Sequence, residues 1–337
     1  MPSRDLIVVG ASAGGVEALR AFVAGLPGDL AAAVAVVLHM PAGGTSALAA
    51  ILKRSGPLDV VSARHGMPLR KGRIHVAPPD HHLIVSDGQV HLSHGPTENG
   101  HRPSVDALFR SAAVARGPSV VGVVLSGTLD DGAAGMVAIT SRGGMAVVQD
   151  PEEALYSGMP TAVMRHVEVA HVVSARKMGV VLRDVVGSPV EDVGEPSDLL
   201  RKESALAADH AGAPPGEVNR MGTPSSFSCP DCNGALIALD TDHSRFRCHV
   251  GHAWTAEALL DAKDAALEKA LWTALRTLEE KATLARRMSR SAVARGSGSL
   301  VERYRSSAAE ASSAAEVLRS HLLSGAFLRH THAEPRT

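Results

Sequence analysis

Aromatic side chains are scarce: two tryptophans, two tyrosines and five phenylalanines make up 3% of 337 residues. Hydrophobic residues still account for 45% of the chain, so aliphatic side chains and alanine must fill its core. No apolar run approaches the ~20 residues that a bilayer-spanning helix needs, which argues against direct membrane insertion. The N-terminus passes almost directly into Leu6-Ile7-Val8-Val9, without the basic, apolar and small-residue order of a secretory signal. A cytoplasmic location is therefore expected. A large charge of either sign is also missing. The formal net charge of -1 leaves no overall basic footprint for nucleic acid. Cysteine occurs only three times, all between 229 and 248, which suits a metal site better than a disulfide framework.

The length suggests about two domains. Over the first ~185 residues short apolar runs alternate with helical patterns, the signature of an α/β fold with a parallel sheet. Strands are predicted at Leu6–Val9, Val34–Leu38, Val60–Val61, Val120–Leu125, Met145–Val148 and Val169–Val173. Helices are predicted after the first strand, around Leu48–Leu52, over 104–116, over Ala133–Ser141 and over 174–186. Between 73 and 93 three apolar runs are separated by Pro-Pro-Asp and Asp-Gly turns, which predicts an antiparallel excursion. Residues 1–186 thus form one domain, and 187–226 read as a linker with one short helix near Leu199–Leu206. Residues 227–254 form a small cysteine- and histidine-bearing unit, and 255–330 a helical hairpin broken at Arg295-Gly296-Ser297-Gly298.

Gly10-Ala11-Ser12-Ala13-Gly14-Gly15 lies between the first strand and the first helix and contains G-x-S-x-G. Small residues permit a sharp turn that exposes the Ser12 hydroxyl, and the helix N-terminus offers free N–H groups to a developing oxyanion. Two blander readings compete. A glycine-rich first turn can bind phosphate or dinucleotide, although the spacing here is not G-x-G-x-x-G; and Ser12 can be a simple helix cap. A serine nucleophile needs a base, which in turn needs an orienting acid. His39 closes the second strand on the same sheet edge as Ser12, and its bland reading is a solvent-facing strand end. Asp130 or Asp131, in the loop after Val120–Leu125, can orient His39 or merely cap the following helix.

Six separated segments together resemble the catalytic domain of chemotaxis protein-glutamate methylesterases (CheB-type proteins). They are Gly10–Gly15, Val37-Leu38-His39-Met40, Val76-Ala77-Pro78-Pro79-Asp80-His81-His82, His101-Arg102-Pro103-Ser104-Val105-Asp106, Leu125–Gly132 and Gly158-Met159-Pro160. The resemblance spans about residues 4–186. It implies a doubly wound, mostly parallel α/β sheet with an antiparallel hairpin. It makes Ser12 the nucleophile, His39 the base and Asp131, which precedes Gly132, the orienting acid. Backbone N–H groups near Ala13 and Thr128 would stabilise the oxyanion, and Arg102 would help position substrate, its bland reading being a loop arginine that fixes its own backbone. The implied substrates are glutamate methyl esters on the cytoplasmic domains of methylated chemoreceptors, with glutamine deamidation by the same tetrahedral chemistry. No cofactor is needed for this chemistry. Two departures stand out. Thr128-Leu129 replaces the family's Met-Gly, and Leu129 cannot adopt a glycine-only conformation cheaply. The family's usual receiver domain has no counterpart before the first strand, which places regulation elsewhere.

Cys229-Pro230-Asp231-Cys232 followed by Cys248-His249-Val250-Gly251-His252 has zinc-ribbon spacing. Cys229, Cys232, Cys248 and His252 are the expected ligands of a structural zinc, with His249 as the alternative fourth ligand and a metal-free loop as the bland reading. Such a small unit can scarcely bury a core without a staple, and its expected place is far from the ester chemistry. The apolar stripe of the helical tail suits a homodimer or a docking partner. A catalytically weak binding module that works through the ribbon and tail is the alternative to an active esterase. A nucleotide-binding α/β protein is disfavoured by the absence of a phosphate-loop lysine.

Overall fold

The apolar runs of the first half become strands because helices cover both faces of one sheet. In the computed structural model, which describes residues 2–44, 46–208, 216, 218–242 and 244–324, the elements follow in order. They are β1 (Leu6–Ala11), α1 (Gly15–Gly25), β2 (Ala33–Leu38), α2 (Leu48–Lys53), β3 (Asp59–Ser62), β4 (Met67–Pro68), β5 (Arg73–Val76), β6 (His82–Ser86) and β7 (Gln89–Ser93). Next come α3 (Val105–Arg116), β8 (Val120–Val124), α4 (Ala133–Ser141), β9 (Met145–Gln149), α5 (Gly158–His166), β10 (His171–Val173), α6 (Met178–Val185) and α7 (Asp198–Ala208). A second, antiparallel sheet follows as β11 (Thr223–Ser228), β12 (Ala235–Ala238), β13 (Arg245–Cys248) and β14 (Ala253–Thr255), and then α8 (Ala256–Ala294) and α9 (Gly298–Leu323).

The main sheet has the order β10-β9-β8-β1-β2-β5-β3, with every pair parallel. β1, β2 and β8 are buried at every position. Their side chains alternate between two cores. Leu6 and Val8 join Leu108, Phe109, Met136 and Ile139 on one face, and Ile7 and Val9 join Leu19, Phe22, Leu52 and Met178 on the other. Strand order reverses at β1, so the carboxyl ends of β1, β2 and β8 meet at the crevice where open α/β sheets place their sites.

The antiparallel excursion is smaller than the turns suggest. Ile74-His75-Val76 pairs in parallel with β2 and β3 and belongs to the main sheet, whereas β4, β7 and β6 form the antiparallel layer. The stretch read as a linker also holds packed structure. α7 buries Leu200, Glu203, Leu206 and Ala207, and Ala207 meets Ile84 and Ala107. The rest of that stretch lies partly outside the described residues. The described residues divide into two compact units at Leu259/Leu260. The second holds most of α8, and α9 folded back on it, with Arg286 donating to the Ser312 hydroxyl and Arg319 paired with Glu279. No described helix is long and apolar enough to cross a membrane.

Candidate active site and metal centre

Three strand ends bring the predicted residues together. The chain turns sharply after β1 because Gly14 takes φ 68, and a Cβ there would stand 2.7 Å from the Ser126 Oγ. Ser12 is held through its N–H, which donates to the Ser126 carbonyl at 2.9 Å, leaving the side chain free to turn toward His39. His39 follows β2 and is anchored by its own N–H to the Ala11 carbonyl. Its Nδ1 lies 3.0 Å from the Ser12 Oγ and its Nε2 2.7 Å from the Asp131 Oδ2. With Nε2 carrying the proton, His39 donates to Asp131 and accepts from the Ser12 hydroxyl, which is the tautomer a general base requires.

Asp131, in the loop before α4, is nearly inaccessible. Its Oδ2 also accepts the Val105 N–H at 2.8 Å. Its Oδ1 accepts the Asp106 N–H at 3.2 Å, the Ser104 hydroxyl at 3.1 Å and the Asn99 amide at 3.3 Å. Burial alone would raise this carboxyl, but the His39 hydrogen bond and charge, with the Val105 N–H, outweigh it and hold Asp131 well below the usual carboxylate range. The ionised form is therefore the one this pocket is built for. Asp106 behaves oppositely. Burial and the neighbouring Asp131 charge push it well above its ordinary value, although the N–H groups of Gly132 and Gly135 bond to its Oδ1. Asp130 faces away from the triad toward the second sheet, where the Thr255 hydroxyl donates to it at 2.8 Å. The two adjacent aspartates, which the loop's position alone left open and the resemblance divided in favour of Asp131, thus face different partners, Asp131 meeting His39 and Asp130 meeting Thr255.

The loop between β8 and α4 is fastened from two sides. The Ser126 hydroxyl donates to the Ala13 carbonyl and accepts from the Tyr156 N–H, while Gly127 exchanges backbone hydrogen bonds with Tyr156 and Met159. A Cβ on Gly127 would stand 2.0 Å from the Met159 Sδ and 3.0 Å from the Ser12 Cβ, so this close approach needs glycine. Leu129 takes φ 57, so the loop keeps a left-handed backbone at an expected cost of ~1–2 kcal/mol for a residue with a side chain. An open cavity of about 350 Å³ beside Ser12 and His39 is lined by Leu38, Met40, Ala47 and Ile51 among others.

Arg102 is engaged elsewhere. Its Nε and Nη2 donate to Asp80 at 2.9 and 2.7 Å, and its Nη1 donates to the His94 and Gly95 carbonyls. Sequence reasoning gave no role to His101, whose ring stacks on His39 with centroids 3.7 Å apart and planes at 19°. Burial, and then the proximity of His39, lower His101 to about 4, so it stands neutral beside the His39 ring. Ser104 and Asn99 were missed too. His101 and Ser104 lay inside a quoted motif, but only geometry shows what they touch.

In the second sheet, Cys229, Cys232, Cys248 and His252 bring four ligand atoms within 4.8 Å of one another. The Cys232 and Cys248 sulfurs are 3.6 Å apart, and the His252 Nδ1 lies 3.7 Å from Cys229 and 3.4 Å from Cys248. Edges of a tetrahedral zinc site with thiolate and imidazole ligands are about 3.5–3.8 Å, so the cluster can hold a metal ion. His249 is exposed and is not part of the cluster. This sheet is not remote from the triad, contrary to the expectation from sequence. The Asn99 N–H donates to the Ala253 carbonyl and the Ala253 N–H to the Thr97 carbonyl, so residues 97–99 line the free edge of β14. Glu98, buried, pairs with Arg110 of α3 and with Arg247 of β13.

The CheB methylesterase family model matches residues 7–182, slightly more than half of the chain. The chain belongs to the CheB methylesterase family. It is 46% identical over 162 residues to a protein-glutamate methylesterase/protein-glutamine glutaminase of Nocardioides sp., covering 47% of this chain and 44% of that protein. A protein of Anaeromyxobacter dehalogenans named protein-glutamate methylesterase/protein-glutamine glutaminase 2 is 40% identical over 181 residues, covering 54% of this chain and 53% of its own. The chain therefore spans about half the length of these curated relatives. The CheB methylesterase catalytic domain of Thermotoga maritima, a crystal structure, matches with a TM-score of 0.52 and 31% identity, over 55% of this chain and 100% of that one.

Proposed function

We propose that this chain hydrolyses the methyl esters of glutamate side chains, with the cytoplasmic domains of methylated chemoreceptors as substrates, and deamidates glutamine by the same route. The observation that carries this reading is the continuous hydrogen-bonded line from Ser12 through His39 to a buried, five-times-bonded Asp131. His39 Nδ1 takes the hydroxyl proton as the Ser12 Oγ attacks the ester carbonyl. Imidazolium is stabilised by Asp131, which stays ionised. The oxyanion would be received by the N–H groups of Ala13 and Thr128. His39 returns its proton to the departing methoxide, methanol leaves, and water then attacks the acyl-enzyme with His39 again as base. Arg102, bound to Asp80, positions the loop around His101 rather than touching the reacting ester.

Cys229, Cys232, Cys248 and His252 would hold a structural zinc, which stabilises the small sheet and supplies no chemistry to the ester. The enzyme is placed in the cytoplasm, without nucleic acid as a partner, and the α8–α9 hairpin is assigned to self-association or docking. The test is methanol release from methylated receptor cytoplasmic fragments. Release by the native protein that disappears in Ser12→Ala supports the esterase. Absence of release across several receptors, with the metal in place, supports the alternative of a binding module, for which the strained Leu129 loop is the structural argument.

A further inference from the structure

β14 has two working edges. One pairs with β13, which carries Cys248, and the Cys248 N–H also bonds to the carbonyl of His252, immediately before β14. The other edge pairs with residues 97–99, through the Ala253 carbonyl and N–H. This places Asn99 between the small sheet and the loop that carries Asp131. Its Oδ1 accepts the Thr255 N–H at 2.8 Å, and its Nδ2 donates to Asp131 at 3.3 Å and to Asp106 at 3.4 Å. Asn99 holds φ 52, a left-handed conformation that asparagine tolerates better than most residues and that the pairing with β14 fixes. A second connection runs in parallel. The Thr255 hydroxyl donates to Asp130, the residue next to the catalytic acid, while accepting the Ala258 N–H at the start of α8.

The small sheet cannot hold β14 in place by apolar burial alone. Its four strands contain few large buried apolar side chains, chiefly Leu236, Ile237, Phe246 and Trp254, and the largest buried side chain among them is the charged Arg247. Sheets of this size rely on a metal to fold, and their ligand ends loosen when it is removed. Loosening between Cys248 and His252 acts directly on β14, three residues before Thr255. The two donors of Thr255 then leave Asn99 and Asp130, and Asn99 loses the constraint that aims its amide at Asp131.

We propose that the metal-bearing sheet is a control element for the esterase: Asn99 and Thr255 are positioning residues through which metal occupancy at Cys229, Cys232, Cys248 and His252 sets the alignment of Asp131. The proposal rests on Ser12, His39 and Asp131 being the catalytic triad. It supplies an input to the site from a part of the chain outside the methylesterase domain. The effect is one of degree, since Val105, Asp106 and Ser104 hold Asp131 independently of β14.

The test uses the full chain, loaded with one equivalent of zinc or stripped by a chelator, and two readouts that need no ester substrate. One is the rate at which a fluorophosphonate labels Ser12. The other is the downfield proton resonance of the His39–Asp131 hydrogen bond. Stripping is expected to slow labelling about 10-fold, the scale of one hydrogen bond to a charged acceptor, and to shift or broaden the resonance. Asn99→Gly, which tolerates the left-handed backbone, is expected to slow the loaded protein to a similar extent. Stripping this variant should then slow it only about 2-fold further, because the two changes act through one path. Equal labelling by loaded and stripped wild type, or the same fractional loss on stripping in wild type and Asn99→Gly, overturns the proposal. Thr255→Val and Thr255→Ser are compared in loaded protein, where metal loss and unfolding play no part. The resonance should move in Thr255→Val and return in Thr255→Ser; an unmoved resonance in Thr255→Val also overturns it. Metal-sensitive labelling without methanol release from any receptor would sustain this inference while removing the proposed substrate.

Discussion

Asp131→Asn tests the triad where its geometry is most constrained. Two donors reach the Oδ2 position, from His39 Nε2 and the Val105 N–H, and three reach the Oδ1 position, from Asp106, Ser104 and Asn99. An asparagine must put its NH2 group at one of them. At Oδ1 it would oppose two donors that cannot turn away, the Asp106 N–H and the Asn99 amide, which Thr255 fixes. At Oδ2 it opposes only the Val105 N–H, because His39 can move its proton to Nδ1 and become an acceptor. One opposed donor costs about 1–3 kcal/mol against twice that for two, so the amide settles toward His39. His39 then presents N–H, not a lone pair, to Ser12 and cannot take its proton. The expected result is a fall in kcat of about 10⁴-fold, or ~5.5 kcal/mol of lost transition-state stabilisation, with KM little changed. Stability in urea should fall by about 2–4 kcal/mol, from the opposed donor and the lost charge-assisted bonds. A folded variant that retains more than about a hundredth of the wild-type kcat for methanol release would refute this tautomer argument.

Asp130→Asn should stabilise the protein at neutral pH. Burial raises Asp130 from 3.8 to about 6, against the Thr255 hydrogen bond, so this group costs the fold stability as pH rises through that window. The variant should gain up to ~3 kcal/mol in urea unfolding at pH 7.5 and nothing below pH ~4; a gain that persists at pH 3.5 contradicts the assignment. His101→Ala removes a ring stacked on the base and should lower kcat about 3- to 10-fold, with His101→Phe restoring most of it. His101 is neutral above about pH 5, so the loss should be constant from pH 6 to 8; a loss confined to one limb of the profile would assign His101 a titrating role. Arg247→Met leaves Glu98 with Arg110 alone and Glu203 with Arg245, and should cost about 2–4 kcal/mol by thermal or urea unfolding. Limited proteolysis should then cut first within 223–255, and equal protection of that segment in both proteins would mean that the buried pair does not hold the small sheet.

Much of the fold is legible in the sequence because period and punctuation agree. Leu6-Ile7-Val8-Val9 is apolar at every position, which only a strand covered on both faces can use, and small residues then mark the turn that positions Ser12. The errors fall where local signals cannot rank partners. Ile74-His75-Val76 has hairpin-like turns around it, yet its neighbours in space, β2 and β3, come from well upstream. α5 opens with Gly158-Met159-Pro160, a segment for which sequence reasoning offered no helix, although proline in the first turn of a helix is compatible with that position. In the stretch read as a linker, the short helix expected near Leu199–Leu206 is there as α7, but its packing was not legible: it spends one buried position on Glu203, which is stable there only because Arg245 and Arg247 arrive from more than forty residues away.

The site divides along the same line. Ser12 and His39 are readable as strand ends on one edge, since the order of elements alone puts them there. Asp130 and Asp131 are not separable this way: they are adjacent, alike and equally able to cap α4. The backbone turns them to opposite sides, and their surroundings then drive them in opposite directions. Asp131 meets a ring of donors and stays ionised, while Asp130 meets one hydroxyl and too little water, and its pKa rises to about 6. The donors that make this difference come from 39, 99, 104–106 and 255, a set that no spacing in the chain connects. Thr255 is the most distant of these, 125 residues from Asp130 and 156 from Asn99. It also belongs to the sheet that sequence reasoning had placed apart from catalysis. A motif can therefore name the residues of this site, but the protonation state each one holds is a property of the assembled fold.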